Sequence, residues 1–181
     1  MTENLIAIHF LKYSLAELHR YKDLADRSCA QVNDEEFFAV LDAEANSMGI
    51  LVKHMAGNMR SRWTDFLTSD GEKPDRFRDE EFIIRPEDSR DALMARGEHY
   101  WQVLFDTLET LTPDDLARTV VIRGEPHSVV QAIQRQVAHY AYHVGQIVML
   151  AKHFRSQTWQ SLSIPRGGSD LFNAQMQTKK G

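Results

Sequence analysis

The stretch Gln136-Val137-Ala138-His139-Tyr140-Ala141-Tyr142-His143-Val144-Gly145-Gln146 carries two histidines four residues apart. Successive residues of an α-helix turn by about 100°, so His139 and His143 stand only about 40° apart on one face. Val129, Ala132, Ile147 and Leu150 fall on that face too, which makes it the core side of a helix running from its cap, Ser128, to about Phe154. Two imidazoles turned into a core need polar partners or a metal. The spacing suits chelation, because both rings can reach one ion. The alternative is a pair of core histidines satisfied by Gln136, Gln146 or backbone groups.

Three further helical stretches lie upstream. The first runs from about Glu3 to Ala30, with Ile6, Phe10, Tyr13, Leu18, Tyr21 and Leu24 broadly along one side. Asn33-Asp34-Glu35-Glu36 then resets the chain and can cap a short helical turn. The second starts at Asn46-Ser47 and reaches about Phe66. The third follows Ser89, buries Leu93, Gly97, Trp101, Leu104, Leu108 and Leu111, and ends at Thr112-Pro113. Four long helices with little strand predict an all-α fold, a four-helix bundle filling one domain over residues 1–181.

The connections are as informative as the helices. Residues 67–88 form a long charged loop between helices two and three, with Asp70-Gly71 as a turn. A loop of that length gives room for a crossover between the two helices. Thr119-Val120-Val121-Ile122 is β-branched and precedes Arg123-Gly124-Glu125-Pro126, the pattern of a small hairpin. A short C-terminal tail holds Trp159 to Leu162 and Ser163-Ile164-Pro165-Arg166-Gly167-Gly168-Ser169.

Composition bounds the function. The chain has 181 residues, 43% hydrophobic and 26% charged, which excludes a disordered or low-complexity protein. A net charge of −5 argues against a protein that wraps nucleic acid. Cys29 is the only cysteine, so no intrachain disulfide forms. Met1-Thr2-Glu3-Asn4 lacks the features of a signal peptide, and no apolar run is long enough to span a bilayer. The expected setting is the cytoplasm, away from membranes.

A third ligand for the His139/His143 pair is sought among six other histidines. His54, in Ile50-Leu51-Val52-Lys53-His54-Met55-Ala56-Gly57-Asn58, sits on a core-like stripe beside Gly57, which allows a close helix approach. His9 ranks well below it, and His19, His99, His127 and His153 read as surface or half-buried side chains. Three neutral imidazoles with no acid would hold one divalent ion per chain (Zn, Ni, Fe, Co or Mn) and leave positions open for water or an anion. Asn58, Gln136 and Gln146 lie near the same faces as supporting or weak ligands. There is no Glu-x-x-His pair, no His-Glu-x-x-His, no Gly-rich phosphate loop and no Gly-x-Ser-x-Gly elbow.

Taken together, residues 46–59, residues 62–73 beginning Arg62-Trp63-Thr64-Asp65, the block Arg135 to Ile147 and the tail Ser163 to Ser169 are similar to the DinB-like superfamily, closest to a branch of unknown function. The resemblance spans almost the whole chain. It implies a four-helix bundle with a divalent metal on His54, His139 and His143, usually as a homodimer. It also implies kinship with metal-dependent S-transferases and isomerases that use a low-molecular-weight thiol.

Two further features bear on partners. Val130, Val137, Val144 and Val148 give helix four a second apolar side, and Met48, Val52, Met59 and Trp63 do so opposite His54. Such faces predict a dimer interface, or coverage by the loop and tail. The functional expectation is a metal-binding protein acting on a small molecule, as a thiol-dependent S-transferase with Tyr140 and Asn58 as orienters. A metal-dependent hydrolase and a non-enzymatic metal-binding or stress-response dimer are the alternatives.

Overall fold

The computed structural model describes residues 2–178. Four long helices dominate: α1 (Thr2–Cys29), α3 (Met48–Trp63), α4 (Arg90–Thr110) and α5 (Val129–Phe154), with α2 (Asp34–Phe38) a single turn between the first two. Their starts follow capping chemistry. Ser47, Ser89 and Ser128 each accept a hydrogen bond from a backbone N–H of the first turn, and Ser128 pairs reciprocally with Gln131. Asn33 forms the same reciprocal box with Glu36 and fixes α2. The fold is all-α apart from one hairpin, β1 (Thr119–Ile122) with β2 (Glu125–Ser128). Arg123 and Gly124, both at positive φ, make its two-residue turn.

The long helices pack in a ring. α1 lies along α5 and α4, and α3 lies along α4 and α5. The long loop therefore joins ring neighbours, α3 and α4. The diagonal steps are α1 to α3 and α4 to α5, so the crossovers fall at α2 and at the hairpin rather than at the loop. α4 passes close to α3 at Gly97, where a Cβ would sit in ordinary contact with Val52.

The core runs through Leu18, Met48, Leu51, Leu93, Leu104, Ile133 and Ile147, each at most 1% exposed. Every residue expected on the buried stripe of the third helix is buried, from Leu93 to Leu111. The first helix departs from its expected side: Ile6 and Tyr13 are 68% and 65% exposed. They line an open groove with Gln134 and Val137 of α5, and the core side of α1 is carried by Leu18, Ala25 and Cys29. The apolar faces read as a dimer interface are also corrected in large part. Met48, Met59, Trp63 and Val144 are buried within the chain itself, which leaves mainly Val130 of that set exposed.

The tail adds an element that the sequence pattern did not announce, α6 (Ser169–Thr178), which buries no side chain. Among the described residues, no helix is long and apolar enough to cross a membrane.

Candidate metal centre

α3 and α5 meet along one seam, and that seam brings His54 to the His139/His143 pair. One ligand-capable atom from each ring lies within 4.8 Å of the others. His54 Nε2 stands 3.4 Å from His139 Nε2. Two nitrogens bonded at about 2.0–2.1 Å to one tetrahedral ion would be about 3.4 Å apart. His54 and His143 are buried and His139 is half-buried.

The hydrogen bonds fix two of the three tautomers. His54 Nδ1–H donates to Glu81 Oε2 at 2.7 Å, so its Nε2 carries the free lone pair. His143 Nδ1–H donates to Gln146 Oε1 at 2.8 Å, so its Nε2 also carries a lone pair. That Nε2 is buried with no partner, and so is His139 Nδ1. A buried acceptor without a donor costs about 1–3 kcal/mol. His143 Nε2 is such an acceptor, in a cluster where His54 Nε2 and His139 Nε2 face each other, and this is the chemistry of a cation site.

Protonation works in the same direction. Burial, with the charges of His143, His54, Arg62 and Arg76, pulls His139 down to about 3. Burial pulls His143 down to about 4; the Gln146 hydrogen bond opposes this, while His54 and Arg78 add to it. Both rings are therefore neutral at physiological pH, the state in which imidazole ligates.

Glu81 was not among the residues singled out from the sequence. It lies on a 3-10 turn, Arg78–Phe82, inside the long loop. Burial alone would raise its carboxyl, but hydrogen bonds from His54 and Arg76, with the Arg76 charge, outweigh that and hold it below its ordinary value. Arg76 donates from Nε and Nη2 to both carboxylate oxygens, at 2.8 and 2.9 Å. The loop is thus no solvated strap: it carries the carboxylate that orients a site histidine. Gly57 serves this arrangement. A Cβ there would overlap the Glu81 carboxylate, so the glycine makes room for that side chain rather than for a neighbouring helix.

The other candidates are placed as follows. Gln146 holds His143, and Gln136 is buried at the site with its Oε1 unpartnered. Tyr140 is fully buried; its hydroxyl accepts from Trp63 Nε1 at 3.0 Å and donates to Asn58 Oδ1 at 2.9 Å. Tyr140 therefore acts behind Asn58 and does not line the cavity over the histidines, whereas Asn58 and Tyr142 do. His9, His19, His99 and His153 are exposed and His127 is half-buried in the hairpin, none of them in the cluster. That cavity has a volume of about 550 Å³.

Among the described residues this is a single three-histidine site with capacity for one divalent ion per chain. Fold and site together define a helical-bundle protein with a buried histidine triad. Residues 5–168 match the family described as a protein of unknown function, DUF1572, and the chain belongs to that family. No curated protein matches it.

Proposed function

We propose that His54, His139 and His143 hold a divalent metal ion and that the protein is a metal-dependent S-transferase using a low-molecular-weight thiol. The carrying observation is the buried, unpartnered His143 Nε2 in one cluster with the facing Nε2 atoms of His54 and His139. An ion bound there supplies Lewis acidity, lowering the pKa of a thiol or water that it holds. Glu81 and Gln146 keep the His54 and His143 rings in their ligating tautomers. Asn58, braced by Tyr140 and Trp63, offers an amide to a bound molecule.

The thiol has to come from outside the chain. Burial pushes the Cys29 thiol up to about 12, and it does not line the cavity. In this reading the chain is one domain, a DinB-like superfamily member that works in the cytoplasm without nucleic acid. It pairs as a homodimer through the exposed apolar residues of α1, among them Leu5, Ile6, Ile8 and Tyr13.

The test is turnover of an aryl chloride by zinc- or nickel-loaded protein with a panel of small thiols. A carbon–sulfur bond forms, chloride leaves and the thiol proton goes to solvent. Turnover that needs both metal and thiol supports the reading. Metal-dependent ester or amide cleavage with no thiol requirement replaces it with a hydrolase. Metal-dependent stability with no turnover on any of these substrates replaces it with a non-enzymatic metal-binding protein.

A further inference from the structure

Five arginines from four segments converge on the cavity above the histidines: Arg62 of α3, Arg76 and Arg78 of the long loop, Arg123 of the hairpin turn and Arg135 of α5. This happens in a chain whose net charge is −5. The carboxylates beside them are fewer. One oxygen of Glu72 accepts from three of the arginines: Arg62 at 3.0 Å, Arg76 at 3.2 Å and Arg123 at 3.1 Å. Glu81 is engaged by Arg76 and His54.

That leaves cationic groups over. The Arg135 side chain is exposed at the cavity and makes no hydrogen bond or ion pair among the described residues. Arg78 has only the fully exposed Asp79 at 3.7 Å, and its guanidinium rests on the Phe82 ring at 4.9 Å. Arg62 is 5% exposed, and its Nε is buried with no acceptor. Guanidinium groups present a planar fork that matches carboxylate and phosphate oxygens. A cavity of about 550 Å³ suits a small molecule.

We propose that this cavity binds a small oxyanion, a carboxylate- or phosphate-bearing molecule, with Arg78 and Arg135 as its principal anchors and Arg62 behind them. The anion is carried by the thiol or by its acceptor, and the inference rests on the metal reading only for the ion on the cavity floor. The arginines supply selectivity for charge, and the histidines supply the reactive centre.

The test is calorimetric titration of succinate, and of sulfate standing for a phosphate group, into metal-loaded and metal-free protein at low salt. Neutral succinamide is the control ligand. Arg78→Gln/Arg135→Gln is compared with Arg20→Gln/Arg118→Gln, which removes the same charge from outside the cavity. Both anions should bind the native chain and succinamide should not. The cavity variant should bind at least about tenfold more weakly with its metal content unchanged, and the control variant within about twofold of native.

No anion binding by the native chain, equal loss in both variants, or no loss in the cavity variant would each overturn the proposal. A chain that takes up no metal, yet binds succinate through Arg78 and Arg135, would sink the metal reading and leave this one standing. Tight capture of a single-stranded oligonucleotide with no binding of either small anion would assign the arginines to nucleic acid instead.

Discussion

His54 Nδ1 and Glu81 Oε2 lie 2.7 Å apart across 27 residues of sequence, and this one hydrogen bond ties the long loop to the three-histidine cluster. The carboxylate sets which nitrogen of His54 is free, and Arg76 holds the carboxylate from its other side. Support of this kind is worth about 10–100-fold in metal affinity in other sites. Glu81→Gln is therefore expected to weaken zinc binding by about that factor while the helices remain folded. Competition with a chromophoric chelator measures it, with circular dichroism as the folding control. Unchanged affinity would mean that Glu81 serves only to anchor the loop.

Gly57→Ala separates two effects that normally run together. In an exposed helix interior, alanine stabilises by about 1 kcal/mol over glycine. At position 57 the added methyl would occupy the place of the Glu81 carboxylate. The expected outcome is a lower Tm together with a loss of metal affinity like that of Glu81→Gln. A raised Tm with normal metal binding would show that the loop yields at no cost.

Metal-free protein should lose stability as pH falls. His139 and His143 titrate at about 3 and about 4 in the fold, against 6.5 unfolded. Between those values the unfolded chain binds more protons than the native one, so unfolding free energy falls with falling pH through that window. It levels off below about 3, where both states are protonated. Urea titrations from pH 7 to pH 4 should show this slope, and His139→Ala/His143→Ala should flatten it.

The Trp63–Tyr140–Asn58 chain carries its own prediction. Tyr140→Phe strips the acceptor from Trp63 Nε1 and the donor from Asn58 Oδ1, all in a buried setting. The expected cost is about 1–3 kcal/mol, read as a shifted urea midpoint. Because Asn58 also faces the cavity, turnover should fall as well, with metal content unchanged.

Cys29 should be inert. It is 1% exposed, with its thiol pushed up to about 12. Iodoacetamide at about pH 8 should label it only on the timescale of unfolding. Rapid labelling of the native protein would contradict the burial and reopen the question of an internal thiol.

Much of this was legible in the sequence because it follows from local rules. Ser47, Ser89 and Ser128 mark helix starts by capping chemistry, and the four-residue spacing of His139 and His143 puts both on one face. His54 was reachable because its helix stripe is apolar. Glu81 was not, since in a stretch dense with Asp, Glu, Arg and Lys nothing local sets one carboxylate apart. The signal that pointed to it, Gly57 mid-helix, reads equally well as helix packing. The arginine cavity was hidden for the same reason: its members come from four segments, and only the folded loop and hairpin bring them together. α6 escaped because it directly follows Pro165 and Gly167-Gly168, whose turn chemistry marks the segment as a tail, and because it packs no side chain into the core.

The central claim is most directly tested by elemental analysis of the purified chain beside His54→Ala, His139→Ala and His143→Ala. The account predicts about one divalent ion per native chain, lost in each variant, with each variant still helical. A native chain that stays metal-free after reconstitution with zinc, nickel, iron, cobalt and manganese would contradict it, and the three histidines would then be polar residues of the core.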